Sequence, residues 1–134
     1  YRGAGPEMEV LLVTSRGTGR WIIPKGWPIN GLQTSEAALQ EAWEEAGVRN
    51  SNAPSEPIGT YTYDKVMRAG LPVPVDTPVY PVKVKETTCD FPEAHGRTRK
   101  WVSPEAAADL VREGELKVIL RQMTNLFPQN AQQG

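Results

Sequence analysis

Three glutamates, Glu41, Glu44 and Glu45, are separated by three and four residues. On an α-helix this spacing brings side chains to one face, with Cβ atoms about 5–6 Å apart. Like charges so placed cost a helix roughly a few tenths of a kcal/mol each. Residues 26–48 contain four Glu and no Lys, Arg or His. Relief therefore has to come from solvent, from another part of the fold, or from bound cations. Mg²⁺ suits such a face, being a hard ion that takes carboxylates, water and substrate phosphate oxygens. A bound ion of this kind polarises a phosphoryl oxygen, acidifies a water and neutralises charge on a leaving phosphate. A further carboxylate can then act as general base. An exposed helix carrying E-x-x-E-E is more often only a solvated face, so the triad needs context.

The elements that must position it are legible. Thr34 is placed as the helix N-cap and Gly47 just beyond the last turn. Leu39, Ala42, Trp43 and Ala46 recur at the spacing of a core-facing stripe. A loop at 24–33 precedes the helix, with two prolines and two glycines. Upstream, residues 9–13 read as a buried strand, 15–19 as a turn and 20–23 as its hairpin partner. Downstream, residues 57–66 read as a strand and 69–74 as a loop. A further strand carries Tyr80, Val82 and Val84 on one face and Lys83 and Lys85 on the other. Residues 97–102 form another short strand. Ser103-Pro104 starts a helix, Gly114 breaks it, and Leu116, Ile119, Leu120 and Met123 stripe a last helix. The tail at 128–134 is polar and expected to be loose. Mixed strands and helices able to cover both faces of a sheet predict an α/β/α sandwich.

Bulk properties narrow the chemistry. With 134 residues the expectation is one domain over residues 1–134. Fifteen basic and 16 acidic residues leave a net charge of −1, so no bulk nucleic-acid binding is expected, because that needs a basic surplus. No apolar run is long enough to span a bilayer, and the opening residues carry no signal-peptide core. The single cysteine, Cys89, excludes an internal disulfide and fits a reducing compartment such as the cytoplasm. With His95 the only histidine, a Cys/His zinc site cannot be assembled. Any metal ligands are expected to be oxygens. The oligomeric state is not readable.

In context, the acidic helix resembles a known motif. Gly26, the loop, and Glu41-Ala42-Trp43-Glu44-Glu45-Ala46-Gly47-Val48 are similar to the Nudix box, G-x5-E-x7-R-E-U-x-E-E-x-G-U with U apolar. Both glycines, the three helical glutamates and the final aliphatic residue agree without insertion. The first Glu of the pattern is Leu32 here, its Arg is Gln40, and Ala42 is small for its slot. The resemblance implies an α+β fold, a single-domain α/β/α sandwich around a mixed sheet. It implies hydrolysis of a diphosphate linkage in a small phosphoanhydride, with Mg²⁺ or Mn²⁺ as cofactor. The substrate would be a nucleoside diphosphate linked to another moiety, a dinucleoside polyphosphate or a diphosphoinositol-type compound. Glu41, Glu44 and Glu45 would ligate the metal, Glu41 also being a candidate base, and the carbonyl of Gly26 would complete the site. In the family, the Glu and Arg that are missing here help hold the loop and orient the glutamates. Apolar packing of Trp27, Pro28, Ile29 and Leu32 is the expected substitute.

Outside the box, Lys25 is placed to contact a phosphate, or is simply a surface lysine. Arg97, Arg99, Lys100 and Trp101 resemble a segment of the branch that cleaves diphosphoinositol and diadenosine polyphosphates. Arg suits polyphosphate because its fork binds two oxygens at once. The plainer reading is a charged edge strand that resists aggregation. Glu86 and Glu93 lie where the family supplies an extra carboxylate. His95 is expected to be a loop residue, and Cys89, Trp21, Trp43 and Trp101 packing residues. The alternative to the enzyme is an impaired Nudix domain that binds a nucleotide or a protein, which Leu32 and Gln40 motivate.

Overall fold

A computed structural model describes residues 1–25, 34–66 and 69–128. Strand β1 (Val10–Thr14) is the spine, pairing antiparallel with β2 (Trp21–Ile22) on one side and β7 (Arg99–Val102) on the other. Its alternation sorts two cores. Val10 and Leu12 enter one cluster with α2 (Pro104–Leu110) and α3 (Gly114–Leu126), which contribute Ala107, Leu116, Ile119, Leu120 and Met123. Val13, with Leu11 packed beside it, faces the opposite cluster with Ala42 and Ala46 of α1 (Ser35–Ala46). Successive side chains of a strand point to opposite faces, so a strand with four consecutive apolar residues buries both sides and requires helices above and below. The result is the expected α/β/α layering, an α+β fold.

The two C-terminal helices follow their local signals. The Ser103 hydroxyl accepts a hydrogen bond from the Ala106 amide at 3.1 Å with Pro104 at the first helical position. All four residues of the stripe on α3 are buried. Two minor pairings complete the scaffold: β3 (Val48–Arg49) with β6 (Glu86–Thr87), and the long ribbon of β4 (Gly59–Val66) with β5 (Pro72–Val79). Every strand pairing among the described residues is antiparallel. No helix among them is long and apolar enough to cross a membrane.

Three expectations need correction. Residues 72–74, read as loop, are strand. The Ile58 amide donates to the Val79 carbonyl, so odd-numbered residues of β5 face the ladder and even-numbered ones face away. Pro72, Pro74 and Pro78 are all even, so none removes a ladder donor, which is the position where strands tolerate proline. Conversely, residues 80–85 are not strand. Val82 and Val84 still pack on the α1 cluster, but their backbone bonds go to Tyr1: its nitrogen donates to Val82 O and its carbonyl accepts from Val84 N. Finally, the buried residues of α1 are Ala42, Glu45 and Ala46, with Leu39 and Trp43 only partly covered. Small alanines let the helix approach β1 closely, and Trp43 is too bulky for that seam. The expected packing of residues 27–32 and the Gly26 carbonyl lie outside the described residues.

Candidate active site

Helix α1 is held at both ends by local chemistry. The Thr34 side chain accepts from the Ala37 amide at 3.1 Å. Gly47 ends the helix at φ 71°, the left-handed region. A Cβ there would lie 2.5 Å from Thr88 O and 2.7 Å from the Phe91 ring, so glycine is required by both conformation and space. Arg99 completes the end, with Nη1 donating to Ala46 O and Thr88 O at 2.9 Å each and the guanidinium 4.9 Å above the Phe91 ring. A cation on the last carbonyls of a helix is favoured by the helix dipole.

The three glutamates then diverge. Glu45 is buried at 2% exposure. Its carboxyl shares a hydrogen bond with Glu41, one turn back, and burial together with this partner pushes it up to about 8 despite the nearby Arg97. Glu44 turns aside and accepts from Gln40 Nε2 at 3.0 Å. The helix presents a two-carboxylate pair with a third acid beside it.

Arg97 meets this pair from across the fold. Its Nη2 lies 3.4 Å from Glu45 Oε1 and 2.8 Å from Glu93 Oε1, while its Nη1 donates to Thr14 O at 2.9 Å. The Glu93 amide in turn donates to Glu44 O at 3.0 Å. Of the two candidate extra carboxylates, Glu93 therefore reaches the site, whereas Glu86 pairs with Arg49 and Asn50. Arg97 and Arg99 spend donors on fold acceptors, and Lys100 lies on the other face of β7, 5.9 Å from the Trp21 ring.

Lys25 stands at the site. Its amide donates to Glu45 Oε1 at 3.4 Å and its ammonium sits 4.4 Å above the Tyr63 ring. Burial, with Arg20 adding repulsion, pulls that ammonium below its ordinary value. Beside it, Arg20 is paired with Glu113 at 2.9 Å. Sequence reasoning missed Tyr63, Glu113 and the link from Arg97 to Glu45. None of these had a local signal, because each pair is distant in the chain.

Glu41, Lys25, Ile23, Ala42 and Val82 belong to the wall of one cleft of about 140 Å³. Its surface is mainly apolar, and Lys25 is the only Lys or Arg among the described residues that line it. Among the described residues, no three Asp, Glu, His or Cys side chains converge as a closed metal cage. A pair of hard carboxylates nevertheless fits Mg²⁺, which is commonly held by one or two carboxylates, the rest of its shell being water and substrate phosphate. Burial and the neighbouring Glu41 favour the protonated form of Glu45, and a divalent ion bound by its carboxylate would displace that proton.

Comparison with known proteins bears on the same residues. The NUDIX domain matches residues 3–123. The chain is 32% identical over 123 residues to Nudix hydrolase 21, chloroplastic, of Arabidopsis thaliana, covering 90% of this chain and 59% of that protein. It is also 32% identical over 120 residues to Nudix hydrolase 16, mitochondrial, of the same plant, covering 85% and 64%. Diphosphoinositol polyphosphate phosphohydrolase 3-beta of Homo sapiens is 32% identical over 109 residues, covering 79% and 62%. The chain thus spans about six-tenths of the length of these relatives.

Proposed function

The chain belongs to the NUDIX domain family, and from that premise we propose that it hydrolyses the diphosphate linkage of a nucleoside diphosphate joined to a second moiety. The observation that carries the reading is the Glu41–Glu45 carboxyl pair beside an apolar cleft. Glu41, Glu45 and Glu44 are assigned to hold the divalent ion, Mg²⁺ or Mn²⁺. Once bound, that ion supplies Lewis-acid polarisation of the phosphoryl group and an acidified water. Glu41, which lines the cleft, is the candidate to take the water's proton. Lys25 is placed to bind a phosphate oxygen.

The cleft also bears on the substrate. A diphosphoinositol polyphosphate, the compound in the name of the human relative, carries many phosphates and needs many cations. Here Arg97 and Arg99 are engaged within the fold, and among the described residues Lys25 is the only Lys or Arg that lines the cleft. A mainly apolar wall favours a flat, weakly charged group such as a nucleobase. Dinucleoside polyphosphates and nucleotide-linked cofactors or sugars are therefore assigned ahead of inositol compounds.

The test is product release from a panel of dinucleoside polyphosphates, nucleotide sugars, dinucleotide cofactors and diphosphoinositol phosphates, with and without Mg²⁺, beside Glu45→Gln. Metal-dependent turnover of nucleotide substrates that the mutant loses is the expected result. Preference for the inositol substrates would overturn the substrate assignment. Metal binding without turnover anywhere would favour a nucleotide- or protein-binding module.

A further inference from the structure

We infer that Arg97 is a positioning residue for this site: it fixes the carboxylate of Glu45 in the orientation that receives the metal, a task for which α1 itself has no cation. The inference rests on the hydrolase reading above. Residues 26–48 contain no Lys, Arg or His, and position 40, where the resemblance expects Arg, is a glutamine engaged with Glu44. A charge opposing Glu45 comes from elsewhere in the chain, from the turn before β7.

Arg97 has the geometry for it. Its side chain is 9% exposed and that of Glu45 3% exposed. Three partners lock the guanidinium: Thr14 O at the end of β1, Glu93, and Glu45. Glu93 takes both Nε, at 3.0 Å, and Nη2, at 2.8 Å. The segment bearing Glu93 is itself bonded to the helix through Glu44 O. A fork held by a strand end and by an acid beside the helix can move little, so the Glu45 oxygen that it meets is fixed as well. Partners of this kind set ligand orientation at metal sites, and their loss typically costs about 10- to 100-fold in metal affinity or activity. The Arg97 nitrogens are engaged on Glu93, Thr14 O and Glu45, which separates this role from direct substrate binding.

The test compares wild type, Arg97→Gln, Arg97→Lys and Glu93→Gln by steady-state kinetics and by calorimetric titration with Mn²⁺. For Arg97→Gln, the expected result is a fall in kcat and a weakening of Mn²⁺ binding, each by about 10- to 100-fold, with KM within about threefold. Arg97→Lys should recover part of both losses, because a point charge can reach one acceptor but not span three. Glu93→Gln is milder and guards against an Arg97 variant that fails to fold; it should lower kcat and Mn²⁺ affinity together, at unchanged KM. A raised KM with kcat and Mn²⁺ affinity intact would overturn the inference in favour of substrate binding. Unchanged kinetics and Mn²⁺ binding in Arg97→Gln would also overturn it, as would unchanged values in Glu93→Gln if the former does not fold. Absence of wild-type turnover would count against the hydrolase reading, and the Mn²⁺ titrations would still decide Arg97.

Discussion

Glu45 and Arg97, 52 positions apart in the chain, meet at 3.4 Å with both side chains at least nine-tenths buried. A buried charge is costly unless paired and hydrogen-bonded. Here the acid has too little compensation to ionise readily, because Arg97 is shared with Glu93 and the nearest helical neighbour, Glu41, is another acid.

Metal-free protein should lose stability as pH rises from about 4.5 to about 8. Glu45 ionises at 4.5 when unfolded and at about 8 when folded. Below 4.5 both states hold the proton and the contribution is intact. Between these values only the native state holds it, so stability falls by up to about 1.4 kcal/mol per pH unit; above 8 the loss is complete. Glu45→Gln should remove this slope and leave the metal-free protein more stable than wild type at pH 8, while abolishing turnover. Urea titrations across the pH range measure both, and a less stable mutant at pH 8 would contradict the account.

Lys25→Gln should raise KM about tenfold, the loss of one charge-assisted hydrogen bond of roughly 1.5 kcal/mol. Its kcat and Mn²⁺ affinity should stay near wild type, since the amide to Glu45 is main-chain. Steady-state kinetics beside an Mn²⁺ titration test this, and an unchanged KM would remove Lys25 from the substrate site.

Gly47→Ala should destabilise the protein by more than about 2 kcal/mol, through left-handed strain and steric overlap. The contact with Thr88 O at 2.5 Å is with backbone and cannot be relieved by a rotamer change. Chemical denaturation reads the loss directly.

Arg99→Met should cost about 2 kcal/mol by stranding the Ala46 and Thr88 carbonyls. Substrate KM should not change, provided the variant is assayed well below its melting temperature. A selective rise in KM would return Arg99 to substrate binding.

The local signals were sufficient for the ends of α1 and the buried face of α3, though not for the buried face of α1. Thr34 and Gly47 frame α1 through a side-chain cap and a left-handed terminus, and the stripe on α3 names its buried residues, because both depend on contacts within a few positions. Residues 80–85 and β5 were not legible in this way. Alternation was present in the first without a ladder, and proline masked the second until the side of the ribbon facing β4 was known.

The sequence by itself determined that Glu41, Glu44 and Glu45 ride one helix free of cations, and that the box glycine at Gly47 ends it. It could not determine which acid is buried. Glu44 and Glu45 lie about 100° apart around the helix, and only the packing of Ala42 and Ala46 on β1 turns Glu45 inward and leaves Glu44 to Gln40. Nor could it assign Arg97 and Arg99, whose spacing suits a phosphate-binding strand as well as it suits a brace. Their partners, Thr14 O, Glu45 and Ala46 O, lie 53 to 83 residues away in sequence, or 52 for the Glu45 pair. Those contacts exist only once β1 has brought β7 and α1 together, since charge and hydrogen-bond geometry are properties of distance in space and not along the chain.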